Sequence, residues 1–154
     1  MKKWISIAGI IVIIAVAYLY HQPKPMDFTY ESVIYSNESD FEKQTIVKLK
    51  GNYYRNLFGK NVWIGELVAD VDLRYEVKLE KMDRTKYFSI LTRNEPKGHL
   101  TTIGSVMTSK NFDKVWLQLD DINEKYNIIE GYIGGPAGNK YEGNDVASKI
   151  IKGE

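Results

Sequence analysis

The sequence predicts a mainly β domain with a short C-terminal helix, preceded by one N-terminal transmembrane helix. The β domain reads as an antiparallel meander, a sandwich or a partly open barrel. Three observations carry this reading. Residues 4–20, WISIAGIIVIIAVAYLY, hold no charge. Residues 63–81 alternate apolar and polar side chains for longer than one ordinary strand. Further short β-type runs follow at regular spacing, each separated by turn residues.

Lys2 and Lys3 precede the apolar segment, so residues 1–3 form a cytoplasmic tail and the chain beyond is exported. Seventeen residues of helix span roughly 25 Å, slightly short of a hydrocarbon core of about 30 Å. Trp4 at one end and Tyr18 or Tyr20 at the other suit the two interfaces, with Ile11 and Ile14 in the apolar interior. Ala15-Val16-Ala17 offers a signal-peptidase site, which would release the domain after Ala17. The apolar run continues through Tyr18-Leu19-Tyr20, where a cleaved signal turns polar, and this favours a retained anchor. Residues 21–25, with Pro23 and Pro25, read as a short stiff spacer before a domain over 26–154.

Within the domain, Phe28–Tyr35 and Thr45–Lys50 read as the first strands. From Trp63 to Leu79 the odd positions are mostly apolar, whereas the even positions carry Glu66, Asp70, Asp72 and Arg74. That gives one wet and one dry face, with a turn near Ala69-Asp70. Tyr87–Thr92, Leu100–Met107, Val115–Leu119 and Ile128–Ile133 complete the set. Asn144 is placed to cap a final helix whose apolar stripe is Val146, Ala147, Ile150 and Ile151.

Composition narrows the chemistry. Without Lys2 and Lys3 the 21 basic residues fall to 19, against 20 acidic ones of interspersed sign. Such a chain offers no basic field for nucleic acid. The absence of cysteine removes disulfides, thiolate nucleophiles and Cys-type zinc sites. His99 is the one histidine of the domain and has no partner legible in sequence, so no metal site, cofactor or catalytic histidine is expected. Carboxylates Asp70, Asp72, Asp120 and Asp121 could serve a hydrolase if one were held protonated in an apolar pocket. Calcium is not indicated, because the EF-hand ligand spacing is absent.

The stretch GYIGGPAGNKYEGN, residues 131–144, has the glycines of a phosphate loop but neither phosphate-loop spacing. It reads as a flexible strand-to-helix connection, and as a ligand-contacting loop it would offer Tyr132, Gly134, Gly135, Asn139 and Tyr141. Tyr53, Tyr54, Trp63 and Trp116 are further aromatic candidates for a sugar or peptide face.

The segments NYYRNLFGKNVWIGEL, GSVMTSKNFDKVWLQL and IIEGYIGGPAGNKYEGNDVASKI, behind a KKW-plus-apolar start, resemble small anchored or exported proteins of Gram-positive Firmicute bacteria. That resemblance implies a bacterial envelope location and a mostly β domain, with no functional residue to carry over. The expectation is a non-enzymatic module at the outer face of the cell membrane, binding a protein, peptide or wall component. An envelope hydrolase using carboxylates, and an accessory subunit of another membrane protein, are the alternatives.

Overall fold

The computed structural model describes residues 2–56, 58–96 and 98–154, with side chains from residue 11 onward. Helix α1 (Lys2–His21) leads into β1 (Lys24–Ser36), β2 (Glu42–Tyr54), β3 (Val62–Ala69), β4 (Leu73–Lys81), β5 (Lys86–Asn94), β6 (Leu100–Ser109) and β7 (Val115–Leu119). Helix α2 (Asp120–Tyr126), β8 (Gly131–Gly135) and α3 (Lys140–Lys152) follow. The eight strands pair in chain order, all antiparallel, and β8 returns to β1 to close a barrel. Closure settles the architecture left open between meander, sandwich and barrel, and it leaves no outer edge at the first and last strands.

The barrel is filled rather than hollow. Inward-facing Leu49, Trp63, Leu67, Val77, Leu79, Val106, Leu117 and Ile133 form the core. Trp63 lies over the facing pair Gly51 and Gly65, where a Cβ on Gly65 would meet the indole ring at 2.8 Å. The β6–β7 connection folds Phe112 into the end nearest α1, stacked on Phe28 at 5.2 Å and tilted against Tyr87 at 4.9 Å. Tyr30 donates from its hydroxyl to the Phe112 carbonyl at 2.7 Å and holds the plug there. Ile122 of α2 closes the opposite end.

Several sequence expectations are corrected. The spacer is only Gln22-Pro23, since Lys24 and Pro25 already pair with Tyr53 and Asn52. Pro25 is tolerated in β1 because this strand meets β8 only from Val33 onward, so the missing N–H has no second neighbour to satisfy. Asp120-Asp121 begin helix α2, an element absent from the sequence reading; it has seven residues and no side-chain cap, too little for a periodic signal. Residues 131–144 are not a flexible connection either, because β8 and the start of α3 lie inside them. Asn139, not Asn144, caps α3 by accepting from the Glu142 N–H at 3.0 Å, while Glu142 accepts from the Asn139 side chain at 2.9 Å. Val146, Ala147 and Ile150 are buried as expected, but Ile151 is exposed.

Helix α3 lies on the outside of β1, β8 and β7 and covers Val33 and Tyr35. The approach is set by glycine. A Cβ on Gly134 would sit 2.8 Å from the Gly143 backbone, and one on Gly143 would meet the Tyr35 ring at 2.7 Å. Gly143 weakens the helix by about 1 kcal/mol relative to alanine, and the close contact with β8 offsets it.

Among the described residues no helix is long and apolar enough to cross a membrane. Trp4 lies outside the described side chains. Ile11, Ile14, Tyr18 and Tyr20 are all exposed, so this face of α1 is not buried against the barrel.

The topology also sorts charge. Successive connections of an up-and-down barrel fall at alternate ends, and the signs along this chain alternate with them. The β2–β3, β4–β5 and β6–β7 connections, at the α1 end, carry five cations against two carboxylates. Among the described residues, the four connections at the far end carry nine carboxylates against one cation. The near-neutral, interspersed composition thus becomes a polarised barrel, a field that a linear count does not reveal.

Two substitutions test the packing. Gly134→Ala forces α3 away from β8 and lowers stability by about 2 kcal/mol in chemical denaturation. The Thr108 hydroxyl is fully buried with no hydrogen-bond partner among the described residues. Thr108→Val therefore raises stability, by about 1 kcal/mol.

Candidate functional site

One seam of the barrel is nearly unpaired. Strands β4 and β5 bond only at Glu80–Phe88 and Lys81–Tyr87, although β4 begins at Leu73 and β5 runs to Asn94. The cause lies on the β5–β6 side. The register slips between Leu91 and Thr92, leaving Ile103 as the extra residue next to Gly104 at φ 155°. Such a bulge bends and twists its ladder, here carrying β5 away from β4. A Cβ on Gly104 would meet the Gln118 carbonyl oxygen at 2.3 Å, so only glycine allows this bend beside β7.

The result is a slot in the barrel wall. Its wider part, about 340 Å³, is lined by Leu73, Tyr75, Leu91 and Ile103 from the interior side and by Arg74, Glu76 and Thr92 from the outer rim. A second hollow of about 260 Å³ continues along Lys78, Phe88, Ser89 and Ile90 toward the paired end. A strand within an antiparallel sheet points alternate backbone groups at its two neighbours. Along Leu73–Leu79 and Ser89–Asn94 half of those groups face the slot rather than a paired strand.

Asp121 of α2 bridges the wide end. The Tyr75 hydroxyl donates to its Oδ2 at 2.6 Å, and Arg93 Nη2 donates to both oxygens at 2.9 and 2.8 Å. Burial works to raise the Asp121 carboxyl, but the bonds from Tyr75 and Arg93 outweigh it and hold the group below the ordinary range. Burial and the Asp121 bond push the Tyr75 hydroxyl up, so it stays protonated. Asp72, on the same rim, is also lowered, chiefly by Lys125 at 2.6 Å. Neither lowered carboxyl is the protonated acid that glycoside hydrolysis requires. The arrangement is one of fixed donors, acceptors and apolar side chains, suited to holding an extended chain.

Asp70 fastens α2 to the barrel. Its side chain is 3% exposed and takes Lys43 at 3.1 Å, Thr45 at 3.2 Å, Lys125 at 2.8 Å and the Tyr126 hydroxyl. Asp70 and Val71 both have positive φ, and the Asp72 N–H donates to the Asp70 carbonyl at 2.9 Å across Val71. This is the strained hand of the γ-turn, carried by a β-branched residue that is 80% exposed. The four carboxylates are therefore divided: Asp70 in a buried ion cluster, Asp72 and Asp121 at the slot, Asp120 exposed on α2.

The other sequence candidates have different surroundings. Tyr132 stacks on Trp116 at 5.4 Å on the outer wall, and Trp116 donates to the Tyr35 hydroxyl at 3.3 Å. Gly134 and Gly135 are buried by α3 and Ser32, Asn139 is the helix cap, and Tyr141 is exposed on α3. Trp63 is buried in the core, Tyr53 bonds Tyr87 and Asn61, Tyr54 is exposed, and His99 stands exposed in the β5–β6 connection. Among the described residues no group of three His, Cys, Asp or Glu side chains is placed to hold a metal. Sequence reasoning missed the slot; the one signal for it was Gly104 inside an otherwise regular strand.

The Asp70 cluster sets a pH dependence. Burial alone would raise this carboxyl, but bonds from Lys125, Tyr126 and Lys43 bring it down to about 2, from 3.8. The depressed folded value means stability present above the unfolded value and lost as pH falls from about 4 toward 2. Asp70→Asn, which tolerates positive φ, lowers stability at pH 7 by about 2 kcal/mol. The difference from the parent closes by pH 2 in denaturation series.

Comparison with protein-family models, with curated proteins and with solved structures finds no match to this chain.

Proposed function

We propose that this chain is a binding module, tethered by α1 to the outer face of a bacterial cell membrane, that takes an extended peptide segment of a partner protein into the β4–β5 slot. The observation that carries the reading is the unpaired seam. Two strand edges face each other across a gap whose floor is Leu73, Tyr75, Leu91 and Ile103. Exposed edges recruit strands, and proteins normally cover or charge them. Here the gap is kept open by a bulge on one side and propped at the end by Tyr75–Asp121–Arg93. An extended segment gains main-chain hydrogen bonds on both sides, and its alternate side chains meet the apolar floor. The tether rests on the uncharged run of residues 4–20 behind Lys2 and Lys3, and the exposed apolar side chains of α1 from Ile11 onward are consistent with it.

The test uses the full chain in detergent micelles and a displayed library of random seven-residue peptides. Enriched peptides slow amide exchange along Leu73–Leu79 and Ser89–Asn94. A lack of enrichment, or protection confined to other strands, overturns the reading.

A further inference from the structure

We infer that the α1 end of the barrel is a second membrane contact, which rests on an anionic lipid surface. The inference shares the tether with the proposed function but is independent of the slot. The start of β1, only two residues beyond α1, places this end of the barrel beside the end of the helix. Arg55 lies over the Tyr20 ring, 5.7 Å from its centroid, which adds a direct tie between helix and barrel.

The charges of this end are largely unspent. Asp113 is paired with Lys114 at 3.2 Å and Asp83 with Lys86 at 3.7 Å. Lys24, Arg55, Lys60, Arg84 and Lys110 form no ion pair among the described residues. Lys24, Arg55 and Lys110 rim a single hollow of about 450 Å³ whose walls include Tyr53, Tyr87 and Phe112. Two neighbouring connections present apolar tips. Phe58 is 100% exposed and Met82 is 59% exposed. Apolar tips among unpaired cations match the interface of a bilayer with anionic headgroups, where the rings and thioether enter the acyl boundary and the cations meet phosphates. The far end, with its carboxylate excess, is repelled from the same surface.

The absence of cysteine makes the test direct, because one introduced thiol is a unique label site. The full chain is placed in lipid nanodiscs of phosphatidylcholine alone, or with about one third phosphatidylglycerol, where each basic group near the surface contributes to binding. A fluorophore at Met82→Cys is read for quenching by nitroxide lipids, with Leu100→Cys at the far end and Ile13→Cys on α1 as references. The expected result is quenching at Met82 only in anionic discs, none at Leu100, and quenching at Ile13 in both. Arg55→Glu, Lys60→Glu and Lys110→Glu together lower the docked population about a hundredfold, while Ile13 stays quenched. If Met82 is unquenched in anionic discs, or equally quenched in both lipids, the docking is overturned. An unquenched Ile13 overturns the tether instead, and the Met82 label still reports docking on anionic vesicles.

Discussion

The closure of this barrel depends on a contact made by the absence of side chains. Strand β8 is only five residues long, GYIGG, and it must bond β1 on one side and β7 on the other. What reinforces so short a strand is α3, which packs close against its backbone because Gly134 and Gly143 meet without a Cβ between them. The same approach lets α3 cover Val33 and Tyr35, which would otherwise be apolar groups on the outer wall of β1. Burial on both faces of Ser32–Ser36 follows, and the closed ring then fixes which connections share an end. The core, the end plugs and the charge distribution all follow from that ring.

Much of the fold was legible because period-two alternation is local. The run from Trp63 to Leu79 gave β3, β4 and their turn, and each later strand begins within a few residues of its apolar pattern. Extents were harder to read. Strand β2 starts at Glu42, through Lys43 and Gln44, because it pairs with the end of β1 whatever its own polarity. Helix α3 was read five residues late, from a cap at Asn144, although Asn139 and Glu142 already stood at capping-box spacing. Helix α2 gave only weak local cues: acids in its first turn, Lys125 in its last and Asn127 in the left-handed cap.

The slot was not legible for a different reason. Ladder register belongs to pairs of strands, and β4 and β5 each look like complete strands on their own. Their separation is created by a one-residue slip between β5 and β6, two strands that pair well. A feature of binding interest thus arises where local pattern and global pairing disagree. Its props are polar, and the two aspartates among them are already matched, Asp121 by Arg93 and the Tyr75 hydroxyl and Asp72 by Lys125. Rigidity of the rim, rather than proton transfer, is what those matches provide.

The alternation of ends has an evolutionary corollary. A single strand gained or lost partway along the chain would move every later connection to the opposite pole, mixing acidic loops with basic ones. Gain or loss of two strands leaves the parity intact. Descent of such a barrel is therefore constrained to change by whole hairpins, while loop lengths within either pole are free to drift.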